Sequence, residues 1–309
     1  MQARLAPQLE NIRRFACFAA AAYGLDALPG SCGPYVAGWV LHDESAAVPL
    51  RLNLNYPGKY LVATNHKTHE QIVAIRGTSN AQDWITNSEI EQTFDPILRV
   101  NVHSGFAAYA RAVRTAVQQT NLLEPTYKTY VTGHSLGGAA AVILGLYWYV
   151  DRTAPDHYNI AGVYTYGQPK PFNNQGGISW PDFAQKIYRV EDCDDAVPLL
   201  PTGDNLFHSV FRGTFLSNEE AKDYQHVGQP ILLMDNGMYW MPGGNDLYRN
   251  RVREIDDFIT DAHYGQPLDH QISQYLIRID QLFAGHARPT NPVHQLHLVC
   301  SRVAPPPSV

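Results

Sequence analysis

The chain of 309 residues lacks several features that would announce a function on their own. Its four cysteines, Cys17, Cys32, Cys193 and Cys300, contain no C-x-x-C pair, which argues against a zinc site. Thirteen histidines are present, but none forms an H-E-x-x-H or similar close ligand set, so a metallohydrolase is not indicated. No metal and no cofactor is therefore expected. Charged residues make up only 17% and form no block of one sign. With a net charge of −6 the chain is not built to hold nucleic acid. The same balance disfavours electrostatic adsorption to anionic lipid, while leaving an apolar contact with a lipid–water interface open. No run approaches the roughly 18 apolar residues of a transmembrane helix. There are no repeats and no long linker.

One stretch resembles a secretory signal, Phe15 to Tyr23 after Arg13 and Arg14. A polar segment, Gln8-Leu9-Glu10-Asn11, precedes those arginines, and the run lacks leucine and valine before ending in Tyr23-Gly24. A packed N-terminal helix is the expectation, not a cleaved leader. The compartment stays open: cytoplasmic, or secreted by a leader outside this chain. Cys17, on that apolar run, reads as a small buried hydrophobe. Cys32 and Cys300 are candidates for a bridge between the chain ends.

With 45% hydrophobic residues the chain can bury a large core. Helical spacing runs from about Pro7 to Tyr23, from Ser104 to Gln119 and from Asp269 to Phe283. Leu61–Thr64 and Gln71–Ile75 read as strands paired around Asn65-His66-Lys67-Thr68. Further strands are expected at Ala161–Tyr166 and Lys186–Val190, with a hairpin of Ile231–Met234 and Met238–Met241. This pattern predicts a single α/β domain over residues 1–303 with a central, mixed, mostly parallel sheet flanked by helices. Residues 304–309 form a proline-rich tail.

The most informative feature is Gly133-His134-Ser135-Leu136-Gly137. It lies between a β-prone run, Thr129 to Thr132, and a long apolar helical run, Ala139 to Val150. Strand, G-x-S-x-G, helix is the setting of a nucleophile elbow. The turn is tight enough to need small flanking residues. The helix that follows aims free N–H groups at the serine, where an oxyanion would form. Ser135 is thus the expected nucleophile, and the Leu136 N–H one oxyanion donor. A second donor fits the loop Arg76-Gly77-Thr78-Ser79, where Gly77 permits close approach and Thr78 offers an N–H and a hydroxyl.

A serine nucleophile needs a base, and the base needs a carboxylate to orient it. On such a fold the chain order is Ser, acid, His. The loop after Arg189-Val190 carries four acids, Glu191, Asp192, Asp194 and Asp195, which residue type does not separate. Downstream, His226, His263 and His270 all compete for the base.

Taken in order, these segments resemble the fungal-type, or class 3, triacylglycerol lipases of the α/β-hydrolase fold. Ala74-Ile75-Arg76-Gly77-Thr78 with Asp83-Trp84 is similar to the family's oxyanion strand and lid start. Val102-His103-Ser104-Gly105-Phe106 is similar to the helix start after the lid, and Thr165 to Lys170 to a loop that usually ends Pro-Arg. Asp195-Ala196-Val197-Pro198 resembles the segment with the catalytic carboxylate, which selects Asp195. His270-Gln271-Ile272-Ser273-Gln274-Tyr275-Leu276 resembles the segment with the base, which selects His270, with His263 second. Tyr224-Gln225-His226-Val227-Gly228 is similar to a structural segment before a late strand. Two departures stand out. More chain follows His270 than in compact members, and Tyr23-Gly24 stands where a Tyr-Cys pair is expected, so the family's end-to-end disulfide is not reproduced there. Cys32 with Cys300 would be its substitute.

The resemblance implies a carboxylic-ester hydrolase, a triacylglycerol lipase first, working through an acyl-enzyme and needing no cofactor. Its partner would be an ester or acylglycerol substrate, with a lipid–water interface as a candidate surface. Ile85 to Val100 would be a lid, with Ile90, Phe94, Ile97 and Leu98 forming an apolar face while Glu89, Glu91 and Asp95 stay wet. A soluble-ester carboxylesterase, a feruloyl-type esterase and a phospholipase A1 are alternatives, because the acyl pocket is not legible in sequence. A catalytically silent lipase-like binding module is the alternative of another class. It would be expected to lack a triad member or an oxyanion donor.

Overall fold

The computed structural model describes residues 6–46, 58–77, 92–151, 157–173, 180–193, 195, 197–201, 224–234, 237–241, 270–284 and 288–289. Among these, the strands are β1 (Val40–Ala46), β2 (Gly58–Asn65), β3 (Glu70–Ile75), β4 (Gln92–Asp95), β5 (Val100–His103), β6 (Lys128–His134), β7 (Asn159–Tyr166), β8 (Phe172–Asn173), β9 (Ile187–Asp192), β10 (Tyr224–Gln225), β11 (Gln229–Leu233), β12 (Met238–Trp240) and β13 (Arg288–Pro289). The longer helices are α1 (Ala6–Ala21), α2 (Ser104–Thr120), α3 (Leu136–Val150) and α4 (Ile272–Ala284). The main sheet has the order β1-β2-β3-β6-β7-β9-β11-β12-β13. From β3 through β11 neighbouring strands are parallel, the β1–β2, β2–β3 and β11–β12 pairs are antiparallel, and β12 pairs parallel with β13. This is the mixed, mostly parallel sheet that the sequence predicts.

Strand parity divides the core in two. On β3, Ile72 and Ala74 face the layer that contains α1, and Val73 and Ile75 face the layer of α2 and α3. Strand β3 is apolar on both sides because both faces are covered. Helix α3 is apolar all round for the same reason: every residue from Leu136 to Trp148 is buried between the sheet and α2. Helix α1 lies on the opposite face, where Phe15 stacks on Tyr164 with ring centroids 4.3 Å apart. The turn between β2 and β3 is held by Asn65, whose Oδ1 accepts the N–H groups of Lys67 (3.0 Å) and Thr68 (3.2 Å).

Two expectations need correction. Cys17 is not a free buried thiol, and Cys32 does not pair with Cys300: Cys17 and Cys32 form a disulfide. Helix α1 ends at Ala21, Gly24 reverses the chain at φ 148°, and two short 3₁₀ turns bring Cys32 back against α1. A local reversal of that kind has no periodic signature. Cys193 is a buried cysteine, and Cys300 lies outside the described residues.

The second correction concerns the lid. Residues 92–103 form the β4–β5 hairpin of a smaller sheet, ordered β10-β8-β5-β4. Asp95, expected to be wet, is 1% exposed. Its Oδ1 accepts the N–H groups of Ile97 (2.9 Å) and Leu98 (3.0 Å). Its Oδ2 accepts from Arg111 Nη1 (3.1 Å) and from the Tyr147 hydroxyl. Leu98 is buried in the core and Ile97 packs against it, while Phe94 is 62% exposed. Residues 85–91, with Glu89, Ile90 and Glu91, lie outside the described residues.

His103, at the junction of β5 and α2, is buried against Phe106, with ring centroids 4.0 Å apart. Neither ring nitrogen is hydrogen-bonded among the described residues. Burial pushes its pKa from 6.5 down to about 4. The unfolded chain therefore binds a proton near pH 6.5 that the folded chain refuses until about pH 4. Stability falls as pH drops through that window, by about 3 kcal/mol at its acid end.

Two measurements test these points. Replacing both Cys17 and Cys32 by alanine should lower the unfolding free energy by about 3 kcal/mol, the loop-closure value for a ring of this size; denaturant titration reads it. His103→Phe should flatten the loss of stability between about pH 6.5 and pH 4 relative to the parent chain, read by denaturant titration at a series of pH values. A parallel acid loss in both proteins would refute the burial account.

Candidate active site

Strand β6 ends at His134 and α3 begins at Leu136, so Ser135 alone makes the turn. It does so at φ 59°, ψ −132°, a conformation unusual for a residue with a side chain, and its N–H is held by the Tyr166 carbonyl at 2.9 Å. The glycines at either end are dictated by contact. A Cβ on Gly133 would lie closer than 3.0 Å to the Gly137 backbone, and one on Gly137 would lie closer than 3.0 Å to the Ile75 carbonyl. The elbow is thus pressed onto its own helix and onto the end of β3.

Around Ser135 the chain assembles a continuous hydrogen-bonded row. Ser135 Oγ is 2.7 Å from His270 Nε2, and His270 Nδ1 is 2.7 Å from Asp195 Oδ2. All three residues are buried. Asp195 follows β9, turned back by its N–H to the Asp192 carbonyl (3.2 Å) and fixed through Oδ1 by the Val197 N–H (2.9 Å). His270 sits in the turn just before α4. Between them lies Gly167 at φ 58°, where a Cβ would stand 2.8 Å from Asp195 Oδ2 and 3.0 Å from His270 Nδ1. Only glycine leaves room for the acid and the imidazole to meet there.

The four acids of the loop after β9 fall into different environments. Glu191 pairs with Arg189 (2.6 Å) and Asp192 with Arg278 (2.6 Å), both in buried ion pairs. Asp195 faces His270, and Asp194 lies outside the described residues. The histidines separate as well. Both ring nitrogens of His226 are engaged elsewhere, Nε2 donating to the Pro198 carbonyl (2.7 Å) and Nδ1 accepting from Gln168 Nε2 (3.3 Å). His263 lies outside the described residues.

Leu136 is the first residue of α3 and is buried. The opening N–H groups of a helix have no acceptor within it, so those of Leu136 and Gly137, which directly follow Ser135, are not used by the helix itself. Thr78 lies outside the described residues, but Gly77 before it abuts the elbow: a Cβ there would be 3.0 Å from Ser135 Cβ and 2.6 Å from the His134 carbonyl oxygen. The chain leaving β3 therefore starts beside the serine. No group of three metal-ligating side chains occurs among the described residues.

Sequence reasoning assigned no role to three residues that complete the site. Tyr275 on α4 donates its hydroxyl to Asp195 Oδ2 (2.6 Å) and accepts the Asp192 N–H (3.1 Å). Burial, and then the charges of Asp195 and Asp192, raise its pKa well above 10, so it stays a donor. His134 stands behind His270, with Nε2 at 2.6 Å from the His270 carbonyl oxygen, and Tyr23 contacts His134 Nδ1 (2.8 Å). Burial, and then the proximity of His270, hold the His134 pKa well below 6.5. The only sequence signals were position: Tyr275 lies in the segment that carries His270, and His134 within the pentapeptide itself.

A serine at a strained strand–helix turn, bonded to a histidine that is bonded to a buried carboxylate, with helix N–H groups at hand, is equipped for acyl transfer. Comparison with known proteins agrees with this geometry. Residues 72–205 match the family model for lipase (class 3). A secreted mono- and diacylglycerol lipase 1 from Fusarium solani is 37% identical over 145 residues, covering 45% of this chain and 42% of that protein. A lipase from Rhizopus niveus is 31% identical over 203 residues, covering 63% and 50%. Among solved structures, a lipase from Rhizopus microsporus var. chinensis superimposes with a TM-score of 0.55 at 25% identity, covering 74% of this chain and 75% of that one. Over this region the chain is similar to the class 3 lipases, and it has the α/β-hydrolase fold of these lipase structures. It matches about half the length, or less, of the curated relatives just named.

Gly167 offers a test of the geometry that does not depend on substrate. Gly167→Ala should force Asp195 and His270 apart, lowering the rate at which a fluorophosphonate labels Ser135 by at least about tenfold. Labelling at the parent rate would show that the loop has room for a side chain.

Proposed function

We propose that this chain is a carboxylic-ester hydrolase of the triacylglycerol lipase type, with Ser135 as nucleophile, His270 as base and Asp195 as the group that orients it. The observation that carries the reading is the row Ser135–His270–Asp195, with both links at 2.7 Å, at a strand–helix elbow. Ser135 Oγ attacks the ester carbonyl carbon as His270 Nε2 takes its proton. Asp195, held by the Val197 N–H and the Tyr275 hydroxyl, stabilises the imidazolium that results. The N–H groups of Leu136 and Thr78, with the Thr78 hydroxyl, receive the oxyanion. His270 then gives the proton to the leaving alcohol. Water, activated by the same imidazole, releases the fatty acid from the acyl-enzyme.

The substrate assignment rests on relatives named as lipases, among them a mono- and diacylglycerol lipase. Phe94 and the chain before it are the remaining elements for contact with a lipid surface, since Ile97 and Leu98 belong to the core. No described helix is long and apolar enough to cross a membrane. The Cys17–Cys32 disulfide supports an oxidising compartment, outside the cytosol.

Ser135→Ala and His270→Ala should each remove nearly all turnover of a p-nitrophenyl ester while circular dichroism stays native, and the double variant should lose little more, because such residues act as a unit. Parent-like kcat in either variant sinks the assignment. Substrate class is read from rate against triglyceride concentration across its solubility limit. A lipase accelerates above the limit, whereas saturation below it, with no further rise, indicates a soluble-ester carboxylesterase.

A further inference from the structure

We propose that Tyr23 and His134 are positioning residues for the base: they fix the main chain of His270, and with it the imidazole, through a directed hydrogen-bond relay. The inference rests on the proposed hydrolase reading and deepens it. A carbonyl oxygen only accepts, so the contact between His134 Nε2 and the His270 carbonyl, at 2.6 Å, requires the proton of His134 to be on Nε2. Nδ1 is then a lone pair, and its contact with the Tyr23 hydroxyl at 2.8 Å requires the hydroxyl to donate. The relay therefore has one direction: Tyr23 O–H to His134 Nδ1, and His134 Nε2–H to His270 C=O.

This matters because His270 is poorly tethered otherwise. It precedes α4, outside the helical hydrogen-bond ladder. Its side chain is held at both nitrogens by groups that must let it change protonation during turnover. The relay grips the backbone instead and leaves the ring free to work. It also keeps a second cation away. The rings of His134 and His270 lie 4.7 Å apart, so a protonated His134 would oppose the imidazolium at His270. With Nδ1 occupied by a donor and the ring buried, His134 stays neutral.

Tyr23 ties this mount to the other half of the site. A Cβ on Gly77 would lie 2.5 Å from the Tyr23 hydroxyl oxygen, and the Arg76 guanidinium lies over the Tyr23 ring at 5.4 Å. Tyr23 itself lies within the loop that Cys17–Cys32 closes. One side chain thus touches the end of β3 that leads to Thr78, the elbow residue before Ser135, and through it the base.

The test compares Tyr23→Phe, His134→Phe and His134→Gln with the parent on p-nitrophenyl butyrate, with active sites counted by fluorophosphonate titration. Displacing a reacting group by about 1 Å can cost about 10² in rate. His134→Phe should therefore lose about 10–100-fold in kcat per titrated site with KM changed by less than about twofold, and Tyr23→Phe about tenfold. The glutamine amide can still donate to the His270 carbonyl, so His134→Gln should recover most of the loss. Imidazole ¹⁵N spectra of the parent should show His134 as the neutral Nε2–H tautomer from about pH 8 down through pH 6.5, where a free imidazole is half protonated. The proposal is overturned by kcat per titrated site unchanged in both phenylalanine variants, even if their melting temperatures fall, or by His134 as the Nδ1–H tautomer, or by its titration in that range. A parent without any turnover would refute the hydrolase reading instead, and the tautomer would still decide this one.

Discussion

The crossing of backbone at the nucleophile turn is the constraint on which the rest of this molecule depends. Ser135 sits at φ 59° with no freedom to relax, because Gly133 touches Gly137 and Gly137 touches the end of β3. Contacts this close exist only if β3, β6 and α3 are rigid relative to one another. That rigidity comes from burying α3 completely and from covering both faces of β3. A backbone strain of order 1–3 kcal/mol is held in place by the packing around it.

From that fixed point the site is built outward by hydrogen bonds with few alternatives. Carbonyls accept, tyrosines kept protonated by burial donate, and glycines stand wherever two functional groups must share a space. Gly167 lets Asp195 reach His270, and Gly77 lets the chain after β3 lie against the serine. Buried acids beside the site are neutralised in pairs, Asp192 by Arg278 and Glu191 by Arg189, which leaves Asp195 as the carboxylate turned toward the imidazole. A buried pair of this kind is expensive to form and more expensive to break, so its value here is in holding the β9 loop in one conformation.

The periphery follows a different logic. The β4–β5 hairpin is locked to the body by Asp95, which caps its turn and binds Arg111 and Tyr147. A stretch that looks amphipathic in sequence is therefore partly core. The aspartate between its apolar residues reads as a solvent-facing charge until its partners, 16 and 52 residues away in the chain, are known.

By itself the sequence determined the parts that local physics controls. Apolar periodicity located α1, α2, α3 and α4 and most strands of the main sheet, and G-x-S-x-G in its strand–helix setting located the elbow, because only glycine survives such contacts. It ranked the acids and histidines only through resemblance, since Glu191, Asp192 and Asp195 are alike in type and differ only in what faces them. Tertiary structure alone decided three things: which cysteine meets Cys17, how much of the stretch up to Val100 is anchored, and that Tyr23, His134 and Tyr275 converge on one imidazole. Each depends on contacts between residues far apart in sequence or on an aperiodic reversal of the chain, and neither leaves a pattern in a single sequence.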